Sequence, residues 1–148
     1  MNWSPHVTVA AIVERQGRFL MVEEHTGDGI RLNQPAGHLE AGESLLQAVV
    51  RETREETAQD FRPSHLVGIY RWQVPPDGVT YLRFCFAGDS GGEIPSQALD
   101  PEIIAAHWLS LEQLRARRAE LRSPLVLRCV DDWRRGRRHS LELLHEVQ

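Results

Sequence analysis

Between Arg51 and Glu56 the chain reads Arg-Glu-Thr-Arg-Glu-Glu, which sets three carboxylates close together. If this stretch is helical, each residue turns about 100°. Glu52 and Glu56 then lie one turn apart, with Glu55 flanking them. All three are expected to point away from the face made by Leu46, Val50 and Thr53. Like charges at this spacing repel by a few tenths of a kcal/mol per pair (~0.2–0.5). A divalent cation would offset that repulsion. Hard oxygen ligands grouped on one rigid element suit Mg²⁺, or Mn²⁺, with the rest of the shell left to water and phosphate oxygens. The competing reading is a solvated helix surface on which Arg51 and Arg54 neutralise the acids as ordinary ion pairs.

The preceding segment weighs against that plainer reading. Gly37-His38-Leu39-Glu40-Ala41-Gly42-Glu43 places two glycines and an acid just before the first turn. Such a loop lets the backbone come close to a metal–phosphate group, and the Gly37 carbonyl is a candidate ligand. Glu43 near the helix start is favoured by the helix dipole and is a candidate cap element. Arg51 follows about two turns later, so a Glu43–Arg51 pair would brace the loop against the helix.

At these residues a resemblance becomes specific. Gly37, Glu43 and Arg51-Glu52 with Glu55-Glu56 are similar to the Nudix box, G-x5-E-x7-R-E-U-x-E-E-x-G-U, where U is a bulky aliphatic residue. The six fixed positions from Gly37 to Glu56 agree. Thr53 stands at the first U, Ala58 in place of the glycine and Gln59 at the last U. Ala disfavours the left-handed turn that the glycine makes, so a slightly different helix exit is expected. Pro5–Ala10, Asn33–Glu40, Leu82-Arg83-Phe84 and Leu121–Val126 further resemble the NudJ phosphatase subgroup of that family.

The resemblance implies an α+β Nudix fold: a mixed β-sheet sandwiched between helices, as a single domain over residues 1–148 with the box at 37–59. It implies Mg²⁺-dependent attack of water on a diphosphate linkage. In the matched positions Glu52, Glu55 and Glu56 become metal ligands, with Gly37 a candidate. Glu52, Glu56 or a distal acid becomes the base. A further acid from a later loop is also implied, with Glu102 first and Asp100 second, against the alternative of a plain surface acid. The subgroup implies phosphate release from nucleoside di- and triphosphates and from thiamine-type pyrophosphates, including hydroxymethylpyrimidine pyrophosphate and thiamine pyrophosphate. A ring needs a flat partner and phosphates need a cation. Trp72, Tyr81 and Arg83 are candidates, with His38 and His6 as further lining residues. Each is equally readable as core, sheet surface or a hydrogen-bonded histidine. Rival functions are hydrolysis of ADP-ribose or NADH-like dinucleotides and a non-catalytic Nudix-fold nucleotide sensor. The intact box acids oppose the sensor.

The elements that must hold these residues are legible in outline. Val7–Val13 reads as a buried strand and Phe19–Glu23 as its hairpin partner across Gly17. Thr26–Gly29 reads as a loop, and Leu32–Pro35 as entering a turn that ends at Gly37. Ser44 to about Thr57 lacks Gly and Pro and repeats Leu46, Val49, Val50, Thr53 and Thr57, which predicts an amphipathic helix. Phe61-Arg62-Pro63 should end that region. Leu66–Val74 and Thr80–Ala87 read as strands about a Pro75–Gly78 turn, and Gly88–Pro101 as loop. Ala106–Leu109 reads as a short strand. Ser110 should cap a helix from Leu111 with Gln113 as capping-box partner, and Pro124 should open a last helix that Gly136 stops.

Composition sets the outer limits. The chain has 148 residues, 41% hydrophobic and 26% charged, with net charge −4, which suits one globular domain. An acidic chain is a poor ligand for duplex nucleic acid. Arg supplies every positive side-chain charge, since Lys is absent, and gathers at Arg115–Arg122 and Arg134–Arg138; these read as solvated helix surface. Cys85 and Cys129 lie outside any metal-ligand spacing and are expected to be buried thiols, as in a cytoplasmic protein. No signal peptide or membrane span is expected. The expected partner is a small phosphorylated molecule, taken by a monomer or homodimer.

Overall fold

The computed structural model describes residues 2–147. In chain order the strands and helices are β1 (His6–Ile12), β2 (Glu14–Arg15), β3 (Arg18–Thr26), β4 (Gly29–Asn33), β5 (Ala36–His38), α1 (Leu45–Thr57), β6 (Gln59–Gln73), β7 (Thr80–Glu93), β8 (Ile103–Ser110), α2 (Leu111–Ala116) and α3 (Leu125–Arg134). A mixed sheet runs β5-β1-β7-β6, with β1 and β7 parallel and the other pairs antiparallel. A second, antiparallel sheet centres on β3, which pairs with β2, β4 and β8.

Strand alternation decides which side chains meet which helix. On one face of the mixed sheet Ala10, Ile12, Cys85 and Ala87 pack with Val126, Cys129 and Val130 of α3. On the other face Val9, Ala11, Val13 and Phe86 pack with Ala48 and Val49 of α1. The mixed sheet is thus sandwiched between helices, an α+β arrangement. Both cysteines are buried and free.

Several boundaries depart from the sequence expectation. Gly29–Asn33 forms β4, although only Leu32 and Asn33 are buried, because β3 supplies a partner for the whole segment. Gln59–Pro63 opens β6, and Gly88–Glu93 continues β7 rather than forming loop. These two polar, Gly- and Pro-containing ends pair with each other, Phe61 with Ser90 and Pro63 with Gly88. Pro63 is tolerated because β6 is an edge strand with a register shift there. Gly88 is required because a Cβ would come within 2.1 Å of the Arg62 carbonyl oxygen.

The helix ends follow local chemistry. Ser44, not Glu43, caps α1, in a reciprocal capping box with Gln47. Ser110 and Gln113 make the same device at α2. At the far end of α1, Ala58 takes the left-handed conformation after all, at φ 60°. That geometry costs an alanine about 1–2 kcal/mol. It is held by the Ala58 N–H donating to Arg54 O at 2.9 Å and by Ile94 N–H donating to Ala58 O at 2.7 Å.

Candidate active site

Arg51 is the hub of the box. Its Nε and Nη2 donate to both oxygens of Glu43, at 3.0 and 2.7 Å. Nη1 donates to Glu52 at 2.7 Å and to Glu55 at 3.2 Å, and Nη2 also reaches the His38 carbonyl at 3.1 Å. The loop is thereby fastened to the helix it precedes. Glu43 is held below the ordinary carboxylate range, chiefly by the Arg51 hydrogen bonds. Glu52 is shifted the opposite way: burial raises it, and the adjacent Arg51 only partly offsets that cost.

The acids do not share one exposed face. Glu56 lies on the inner side of α1 with Val49 and Thr53, and is only 7% exposed. This corrects the expectation that all three glutamates point away from the packed face. Its carboxylate accepts from Ala36 N–H at 2.8 Å, at the outer edge of the mixed sheet. Burial pushes its pKa up to about 9, with the Glu24, Glu52 and Asp100 charges adding to the rise.

Glu52, Glu55 and Asp100 bring one carboxylate oxygen each to within 4.8 Å of one another. Asp100 arrives there because its N–H donates to the Glu55 carbonyl at 2.9 Å, docking the loop before β8 on the last turn of α1. Of the two later acids, Asp100 joins this group, while Glu102 lines the cleft outside it. Glu102 is tied instead to β3, its carbonyl accepting from His25 N–H at 2.8 Å. Three mutually close oxygens have no adequate cation in Arg51 alone. An all-oxygen donor set of this kind fits a hard divalent ion.

Gly37 explains why the box begins with glycine. A Cβ there would stand 2.1 Å from the Glu52 carboxyl carbon. Its backbone does not need positive φ, so the requirement is space alone. Gly37→Ala should therefore fold with a near-normal melting temperature yet lose about 10²-fold in turnover, as Glu52 is pushed off its Arg51 contact. Paired melting and rate measurements check this; a parallel loss of both, or of neither, would contradict it.

Glu52, Glu56 and Asp100 open onto a cleft of about 690 Å³, within the range for small-molecule sites. Its floor is the outer part of the mixed sheet. One cross-strand row is Trp72, Tyr81 and His6, and the next is Tyr70, Arg83, Thr8 and His38. Trp72 and Tyr81 lie nearly parallel, 14° apart with centroids 6.1 Å apart. His6 Nδ1 and His38 Nε2 are 3.1 Å apart. Arg83 is buried, gives Nη1 to Gln34 Oε1 at 2.8 Å, and has no partner for Nε among the described residues. Trp72, Tyr81, Arg83 and His38 thus share one cleft with Gly37, Glu52 and Glu56, whereas Glu55 and Arg51 stand behind it.

Sequence reasoning missed Glu24, Asn33 and Arg122, which also line the cleft. Glu24 carried a usable signal: it ends an apolar strand, where a buried acid has to have a reason.

A NUDIX domain model matches residues 4–129. The chain belongs to the Nudix family. It is 40% identical over 142 residues to Phosphatase NudJ of Escherichia coli K12, covering 96% of this chain and 92% of that protein. Among solved structures it is similar to a NUDIX hydrolase from Nitrosomonas europaea, with TM-score 0.94, 46% identity and coverage of 97% and 98%. The NUDIX domain of Shewanella oneidensis NrtR, solved with ADP ribose, shares the fold at TM-score 0.72 and 16% identity. This Nudix protein is a pyrophosphohydrolase, hydrolysing phosphate linkages in small phosphorylated substrates. Nudix hydrolases generally use divalent metals, and the acidic group described above is of the matching type. Among the described residues no helix is long and apolar enough to cross a membrane.

Proposed function

We propose that this Nudix enzyme releases phosphate from nucleoside di- and triphosphates and from thiamine-type pyrophosphates such as hydroxymethylpyrimidine pyrophosphate and thiamine pyrophosphate, with Mg²⁺ as cofactor and Mn²⁺ as substitute. The observation that carries the reading is one cleft lined both by carboxylates and by the parallel Trp72–Tyr81 pair. That layout suits a flat ring joined to a short phosphate chain. The 40% identity to a protein called a phosphatase supports release of phosphate.

Glu52, Glu55 and Asp100 hold the cation, with Glu56 and the Gly37 carbonyl beside them and Glu102 at the rim. When bound, the divalent ion neutralises the phosphate oxygens and acidifies the attacking water. Arg51 keeps Glu52 and Glu55 oriented through its 2.7 and 3.2 Å bonds. Glu52 or Glu56 takes the proton from water. Trp72 and Tyr81 stack on the ring, Arg83 donates to it or to its phosphates, and His38 closes the wall beside His6. Phosphoryl transfer is largely positioning and charge neutralisation, and these residues supply both.

A screen of nucleotides and thiamine-type pyrophosphates with Mg²⁺ or Mn²⁺ tests the reading, scoring phosphate against nucleoside monophosphate release from ADP-ribose and NADH. Phosphate release from the small pyrophosphates is expected. Monophosphate release confined to the dinucleotides would overturn the substrate assignment, and turnover indifferent to chelation would overturn the metal assignment.

A further inference from the structure

Seven carboxylates line the cleft and only two arginines, Arg83 and Arg122. Arg83 is buried in the floor and partly engaged by Gln34. Arg122 is different, since its side chain is 46% exposed. Its Nη1 donates to Glu24 at 2.6 Å. The backbone beneath it is pinned: Arg122 N–H donates to Leu32 O at 2.7 Å, and Leu121 pairs with Leu32 of β4. The Glu24 carboxylate is itself almost wholly buried and lines the same cleft as Glu56. His38 lines the same cleft as Arg122. Arg122 and its partner Glu24 thus belong to the cleft that also holds Glu52 and Glu56.

A guanidinium has five donors in a planar fork. Glu24 occupies one nitrogen, and no other hydrogen bond from the Arg122 side chain is formed among the described residues. If the pair existed only to neutralise buried Glu24, a contact turned away from the acids would serve as well. Arg122 instead lines the cleft that, on the proposed function, receives a diphosphate carrying three or four negative charges. Resting on the proposed function above, we propose that Arg122 is a substrate-binding residue that clamps the diphosphate from the side opposite the metal-holding acids, with Glu24 positioning its guanidinium. The ligand class is a pyrophosphate group bridged to a divalent ion, and the fork gives bidentate contact with one phosphoryl group.

The experiment uses the full chain, with methylenediphosphonate and Mg²⁺ as a non-hydrolysable probe followed by calorimetry, Mn²⁺ alone followed by its magnetic resonance signal, and kcat/KM on the best substrate of the screen. Arg122→Gln should weaken the probe about 10–100-fold and lower kcat/KM about 10²-fold. Affinity for Mn²⁺ alone should be unchanged or tighter, because the acids remain. Arg122→Lys keeps the charge beside Glu24 and serves if the glutamine variant fails to fold. It should still lose about tenfold in probe affinity, since the fork is gone. Probe affinity and kcat/KM within threefold of wild type in the folded variants would overturn the assignment. So would a joint loss of probe and Mn²⁺ binding with a lowered melting temperature, which would mark a purely structural pair. If the wild type neither binds the probe nor turns over any compound in the screen, the proposed function itself falls and takes this assignment with it.

Discussion

Glu56→Gln is expected to abolish useful turnover while making the metal-free protein more stable. The loss should be about 10²–10⁴-fold, as for removal of a proton acceptor or an ion-holding group. The gain follows from burial. Glu56 is 7% exposed and its pKa is pushed up to about 9 from an ordinary 4.5. An acid raised in this way binds a proton in the folded state that the unfolded chain has already released. Stability is therefore fully present below about 4.5 and declines as pH rises from there toward about 9. Glutamine keeps an acceptor for the Ala36 N–H and carries no charge. At pH 8 the variant should melt higher by roughly 2–8 °C without metal. Mg²⁺ should raise the wild-type midpoint more than the variant's, which still responds because Glu52, Glu55 and Asp100 remain in both. Glu52→Gln should show the same loss of turnover with a smaller gain, because Arg51 already compensates part of its burial. Melting curves from pH 5 to 9, with and without Mg²⁺, separate these outcomes. A pH-independent stability difference, or near-normal Mg²⁺-dependent activity in both variants, would contradict the account.

Arg51→Ala should be among the most damaging single changes away from the apolar core. It strips Glu43 and Glu52 of their closest cation at once, and both carboxylates are largely buried, at 15% and 12% exposure. Removing one partner from such an arrangement costs about 3–5 kcal/mol. Turnover should fall with stability, since the loop carrying Gly37 loses its tie to α1 through the His38 carbonyl. Arg51→Lys keeps the charge but cannot span Glu43, Glu52 and Glu55 together, and should fall between the two. Mg²⁺ should restore part of the Arg51→Ala midpoint by taking over Glu52 and Glu55. Urea titrations with and without the ion check this, and an unaltered urea midpoint for Arg51→Ala would show that the hub holds nothing together.

Spacing alone determined α1 and its pairing of Glu43 with Arg51, because both are local helix geometry within about four turns. The β-rich apolar runs of β1, β3 and β7 were readable because each is a local stretch bounded by turn residues. The exit of α1 was not, since Ala58 adopts a left-handed turn that its own preference resists and that Ile94 holds from outside the helix. Nor was β4, whose polar residues become strand only against β3.

The site divides along the same line. The sequence by itself singled out the box acids, Gly37 and the Glu43–Arg51 pair, whereas the space Gly37 leaves for Glu52 is a tertiary contact. Tertiary structure decided that Glu56 faces inward, that Asp100 rather than Glu102 closes the acidic group, and that Glu24 and Arg122 face the same cleft. Those choices depend on contacts between residues far apart in the chain, such as Asp100 N–H on the Glu55 carbonyl and Arg122 N–H on the Leu32 carbonyl. Periodicity carries information only over a few turns or one strand, and a loop's landing point is fixed by the backbone groups it must satisfy when the chain closes.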